Sequence, residues 1–121
     1  MTTTDKKRKT RKNEMTKPSK LRDFSTRNIE DLLREGVHMV YQSPIKADGY
    51  YSPDSGLIEI KPNPKQYEDV TILHEWLHAY EDRILDLKFR EKQIDWWAYY
   101  HYKNNKSLVD YIRSFFRKQK F

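Results

Sequence analysis

The stretch "VTILHEWLHAYED", Val70 to Asp82, constrains the fold more than any other part of the chain. Val70, Leu73, Leu77, Tyr80 and Ile84 recur at intervals of three and four, the period of an amphipathic helix with a core-facing stripe. His74 and His78 stand four residues apart and off that stripe. Their rings therefore share one helix face, about 6 Å apart along the axis. A chain with such a helix must cover the stripe with other elements, which leaves both histidines free to face a cleft. Just upstream, Asn63 suits an N-cap, Pro64 a first helical position and Gln66 a capping box.

The covering elements are legible on either side. "STRNIEDLLREG" predicts a short helix capped by Ser25 or Thr26, with Ile29, Leu32 and Leu33 on one face and Gly36 as terminator. "VHMVYQ" predicts a strand, although Val40 breaks its alternation. "GYYSPDSGLIEI" reads as a hairpin: Pro53 and Asp54 suit the turn, Gly56 a positive φ, and Ile58 and Ile60 flank an outward Glu59. "LKFREKQIDWWAYYHY" has no breaker and predicts a further helix. Asn104 and Asn105 interrupt it, and Ser107 with Asp110 starts a basic amphipathic helix in 104–121, with Leu108, Ile112, Phe115 and Phe116 opposite Arg113, Arg117 and Lys118. The prediction is an α+β domain: a three-stranded sheet or hairpin packed on an N-terminal helix, the histidine helix, a glutamate-bearing helix and a C-terminal helix.

With 121 residues, 36% hydrophobic against 35% charged, there is material for one domain with a thin core. Residues 1–22 hold nine Lys/Arg against Asp5 and Glu14, with no helical or strand period. Such a segment buries too little to offset the entropy of ordering it, so a disordered basic tail is predicted for 1–22 and a single domain for 23–121. The tail would serve as a solvated arm or as a nucleic-acid contact that weakens with salt. Residues 23–102 invert the balance, with nine Lys/Arg and fifteen Asp/Glu, so carboxylates concentrate where the histidines are. Trp96, Trp97, Tyr99, Tyr100 and Tyr102 read as core and rim aromatics in preference to a base-stacking surface. No apolar leader and no run long enough to span a bilayer is present, which predicts a soluble, intracellular (cytoplasmic) protein. The chain has no cysteine, which rules out disulfides, thiolate nucleophiles and cysteine-ligated zinc. Gly36, Gly49 and Gly56 lie too far apart for a phosphate-cradling loop.

The histidine pair carries the chemistry. Two imidazoles at i and i+4 can converge on zinc, whose nitrogen ligands sit at about 2.0–2.1 Å and whose catalytic sites use three protein ligands with water in fourth place. Glu75 projects about 100° around the helix from His74, placed to reach that water rather than the ion. The plain alternative is a helix whose two histidines pack or face solvent. Ile84 and Glu81 stand where a metzincin would need His and Gly, which excludes that class. For the third ligand, Glu91 and Asp95 share a face at i and i+4 on the next helix, offering a ligand and an acceptor for a histidine N–H. The rival is His101, about 80° around that helix from Glu91. Glu91 is preferred.

At these residues the chain resembles a family. "ILHEWLHAYED" followed by "EKQID" resembles the gluzincin zinc metallopeptidases, whose second helix carries Glu-x-x-x-Asp, and "DGYYSPDSGLIEIKP" is loosely similar to the hairpin before the zinc helix in the ImmA/IrrE peptidases. Asp95 stands where many ImmA/IrrE members have Asn, which favours the broader gluzincin pattern; by size the chain is most similar to the minimal archaeal minigluzincins. The resemblance implies zinc-dependent hydrolysis of peptide bonds in an extended substrate, with Zn2+ on His74, His78 and Glu91, Glu75 as general base and Asp95 orienting a ligand histidine. It also implies that Leu57, Ile58, Glu59 and Ile60 form an edge strand to which substrate pairs, and that the basic tail or the C-terminal helix covers the cleft in a latent form.

Overall fold

The computed structural model describes residues 19–41 and 47–116. Helices α1 (Ser19–Arg22) and α2 (Thr26–Arg34) lead into β1 (His38–Tyr41), β2 (Gly49–Ser52) and β3 (Leu57–Ile60). Helix α3 (Lys65–Tyr80) follows, continues as a π-helical segment over Glu81–Leu85, and is succeeded by α4 (Glu91–Asn104) and α5 (Lys106–Phe115). The fold is α+β, as the pattern of elements predicts.

Helix α3 is the hub: it packs against β2, β3, α2, α4 and α5. Its burial is wider than the predicted stripe, for Ile72, Trp76 and Ala79 are fully buried beside Leu73 and Leu77. A helix lying between a sheet and other helices is apolar on two sides, and only a strip through Thr71, His74 and His78 stays half-open. Trp76, fully enclosed, satisfies its indole N–H on the Met39 sulfur of β1 at 3.4 Å.

The strand order is β1-β3-β2, with β1 parallel and β2 antiparallel to β3. Gly56, at φ +75°, closes the β2–β3 hairpin as predicted, its N–H donating to the Ser52 carbonyl at 2.8 Å. The edge assignment for Leu57–Ile60 is overturned. β3 is the central strand, paired on both sides, with Ile58 and Ile60 fully buried, so its backbone has no free edge for substrate. β2 is the edge that faces α3.

Three boundaries also differ. The folded unit starts at or before Ser19, within the predicted tail: α1 is helical and Leu21 is fully buried, its carbonyl accepting a bond from His101. Residues 1–18 and 117–121 lie outside the described residues, so most of the predicted tail and the last turn of the predicted C-terminal helix do too. Helix α4 starts at Glu91 rather than near Leu87, because Asp86 adopts a left-handed φ of 51° and ends the π segment. Helix α5 starts at Lys106, ahead of the predicted Ser107 signal.

Helix α5 is tied to the start of α3 by charge. Arg113 donates to Asp69 at 2.7 and 3.1 Å, to the Tyr41 hydroxyl at 3.1 Å, and pairs with Glu68 at 2.9 Å. No described helix is long and apolar enough to cross a membrane. Trp97 and Tyr102 pack against the core, whereas Trp96 and Tyr99 stand exposed on the outer face of α4 and are not core residues.

Candidate metal centre

His74 and His78 leave α3 on its half-open face, and α4 is set so that its first residue, Glu91, meets them. The His74 and His78 Nε2 atoms are 3.0 Å apart; Glu91 Oε1 lies 2.5 Å from the first and 3.2 Å from the second. Two ligands of a tetrahedral zinc at about 2.0–2.1 Å are roughly 3.3 Å apart, so the trio needs little adjustment to share one ion.

The outer nitrogens fix the direction of the inner ones. His74 Nδ1 contacts Asp95 Oδ1 at 2.7 Å, and His78 Nδ1 contacts Glu81 Oε1 at 2.8 Å. An ionised carboxylate only accepts, so each Nδ1 must donate. A neutral imidazole protonated at Nδ1 presents a bare lone pair at Nε2. In that tautomer two lone pairs and a Glu91 oxygen face one another with no donor among them, an arrangement that a metal ion or an added proton would balance. When no ion is bound, a proton fills that role. Burial opposes the charge on His78, but the bond to Glu81 and the nearby Glu75 and Glu91 outweigh it and push its pKa up to about 9. Burial likewise opposes ionisation of Glu91, yet the two histidines hold it below the usual carboxylate range.

Glu75 sits beside the trio, 8% exposed, with Oε2 4.0 Å from His74 Nε2. Burial raises its pKa and the two histidines partly offset this. A carboxylate poised in this way is suited to taking up a proton.

The cluster opens on two grooves beside the edge strand. The larger, about 390 Å³, is lined by Gly49, Tyr50, Glu75, His78, Lys88 and Glu91 among others; the smaller, about 280 Å³, includes Asp48, Gly49, Thr71, His74 and Asp95. Gly49 belongs to both. A Cβ at that position would stand 2.6 Å from Thr71 Cγ2 and 3.1 Å from Glu75 Cγ, so glycine lets β2 approach the helix where Glu75 emerges. Behind the site, the Tyr51 hydroxyl donates to Asp82 at 2.7 Å and accepts from Arg83 Nε at 2.9 Å, while Arg83 also reaches the Glu35 and Pro53 carbonyls. This pins the hairpin to the π segment.

The sequence-predicted residues thus separate. His74, Glu75, His78, Glu91 and Asp95 come together, whereas Leu57–Ile60 lie one strand away from the grooves. His101 is excluded as a ligand: it is fully buried, its Nε2 donates to the Leu21 carbonyl at 2.8 Å, and burial lowers its pKa. Residues missed by sequence reasoning are Glu81, Gly49 and the Tyr51–Asp82–Arg83 set. Glu81 had a usable signal, since a residue three after His78 shares its helix face. No described residue of α5 lines either groove, so cover of the cleft by that helix as far as Phe116 finds no support in its packing. Comparison of the chain with protein-family models, curated proteins and solved structures finds no match to any of them.

Proposed function

We propose that the protein is a zinc-dependent peptidase that hydrolyses peptide bonds in extended chains. One observation carries this reading: three lone-pair-bearing atoms converge with a buried carboxylate beside them, at the junction of two grooves along β2, the outer strand of the described sheet. Zinc held by His74, His78 and Glu91 would supply a Lewis acid that polarises the scissile carbonyl and acidifies water. Glu75 takes the proton from the attacking water and delivers it to the leaving nitrogen. Asp95 keeps the His74 lone pair aimed inward.

The backbone of β2 is suited to hold the substrate. The Asp48 and Ser52 carbonyls accept bonds from Lys61 and Gly56, both on the β3 side. Alternate residues of an antiparallel strand turn their polar groups the same way, so Gly49 and Tyr51 direct theirs to the open edge. An extended peptide pairing there would lie across Glu75.

The test compares wild type with Glu75→Gln for zinc per chain and for cleavage of an unstructured fluorogenic polypeptide. Both proteins are expected to bind zinc, with the variant losing about 10²- to 10⁴-fold in turnover. Undiminished turnover in the variant would sink the proposal. Nucleic-acid binding through the basic tail rests on residues outside the described ones, and no observation in the folded part favours it over hydrolysis.

A further inference from the structure

Glu81, which the proposed reaction does not use, bridges a candidate ligand histidine and the segment leading into α4. Oε1 faces His78 Nδ1 at 2.8 Å, Oε2 accepts the Phe89 backbone N–H at 2.8 Å, and the Glu81 carbonyl accepts the Leu87 N–H at 3.0 Å. It is 5% exposed and opens the π-helical segment. Phe89, 6% exposed, anchors the strand of chain that runs from the left-handed Asp86 into α4 two residues later. One carboxylate therefore touches a ligand histidine on one helix and the segment that delivers Glu91 on the next.

We infer that Glu81 is the positioning residue of the metal centre, a clasp that sets the ring orientation of His78 and the place of Glu91 together. The inference rests on the metal reading given above and assigns the site a second orienting carboxylate beside Asp95. Its chemistry makes a discriminating variant available. Both groups facing Glu81 are donors, one on each oxygen, and a carboxylate offers an acceptor at both positions where an amide offers one acceptor and one donor. In Glu81→Gln the amide oxygen serves one donor, while its NH2 meets the other. If it keeps Phe89, the NH2 forces His78 Nδ1 to accept, which moves the ring proton to Nε2 and removes a ligand lone pair. If it keeps His78, the Phe89 N–H loses its acceptor and the approach to Glu91 loosens.

The experiment measures zinc affinity by chelator competition and the visible spectrum of the cobalt-substituted protein, for wild type, Glu81→Gln and Glu81→Asp. Orienting partners of ligand histidines are worth about 10- to 100-fold in affinity. Glu81→Gln is expected to lose that much and to shift the cobalt spectrum, with Glu81→Asp recovering part of both. Wild-type affinity and spectrum in Glu81→Gln would overturn the clasp while leaving the metal centre standing. A wild type that binds neither metal would overturn the centre and the clasp with it. Should Glu81→Gln not fold, nitrogen NMR of zinc-loaded wild type decides: ligation through Nε2 of an Nδ1-protonated His78, with an exchange-protected Phe89 amide, supports the clasp, and ligation through Nδ1 overturns it.

Discussion

At its N-terminal end α3 buries Glu68 and Asp69, each about 1% exposed, and Arg113 from α5 reaches them at 2.9 and 2.7 Å. At its C-terminal end the same helix buries Glu75, with Glu81 just beyond it, against two imidazoles and Glu91. The first cluster contains its own cations, Arg113 and Lys65, and its geometry is complete. In the second, the described ion pairs of Glu75, Glu81, Glu91 and Asp95 all run to His74 or His78, which are neutral when they act as ligands. Similar side chains on one helix therefore do different work. In the first cluster a fixed guanidinium closes the charge balance and joins two elements; in the second the described ion pairs leave that balance to a group that comes and goes, the part given above to the proposed metal.

The contrast can be broken by experiment, most severely at the closed end. Arg113→Ala would leave two buried carboxylates without their guanidinium, a loss of about 3–5 kcal/mol. Denaturant unfolding should show it, while zinc per folded chain stays at the wild-type level. A parallel loss of zinc would mean that the two ends are not separable.

The open end should respond to pH where the closed end does not. His78 must lose its proton to act as a ligand, and its pKa stands near 9 in the metal-free protein against an ordinary 6.5. Apparent zinc affinity should climb with pH by up to about tenfold per unit and level off as pH passes about 9. The sign for metal-free stability is opposite. A raised pKa stabilises fully below the unfolded value of 6.5 and is lost as pH rises through about 9, so the metal-free fold should weaken across that window. Titrations of both quantities check the pair; an affinity flat over this range would remove His78 from the ligand set.

A smaller effect is expected at the wall between the grooves. Gly49→Ala places a methyl group against Thr71 and Glu75, and overpacking of this kind costs about 1–3 kcal/mol. On the proposed function zinc should remain while cleavage falls, since β2 must shift away from Glu75. Unchanged turnover would show that the close approach of β2 is not used.

Much of this was legible in one dimension. The α3 period, the hairpin turn and the i, i+4 pairing of Glu91 with Asp95 are local patterns, and each appears where the pattern puts it. What was not legible depends on distant partners. Alternation in "LIEI" is the same for a central or an edge strand, and β1, which decides the matter, pairs across nineteen positions. Leu21 has no periodic neighbour in its basic context, and the histidine that holds it is 80 residues away. The π segment and the left-handed Asp86 carry no Gly or Pro to announce them. Glu81 was visible as a neighbour of His78, but its second bond exists only once the chain has doubled back to Phe89.

The bond between His101 and Leu21 also bears on the order in which the molecule assembles. His78 and Glu91 are 13 positions apart, whereas Leu21 and His101 are 80 apart. Closing the longer loop costs about 1.6 kcal/mol more in chain entropy. His74, His78 and Glu91 can therefore gather while the ends of the domain are still apart, and the proposed ion, if captured at that stage, would hold α3 to α4 as a nucleus on which the long-range contacts then close.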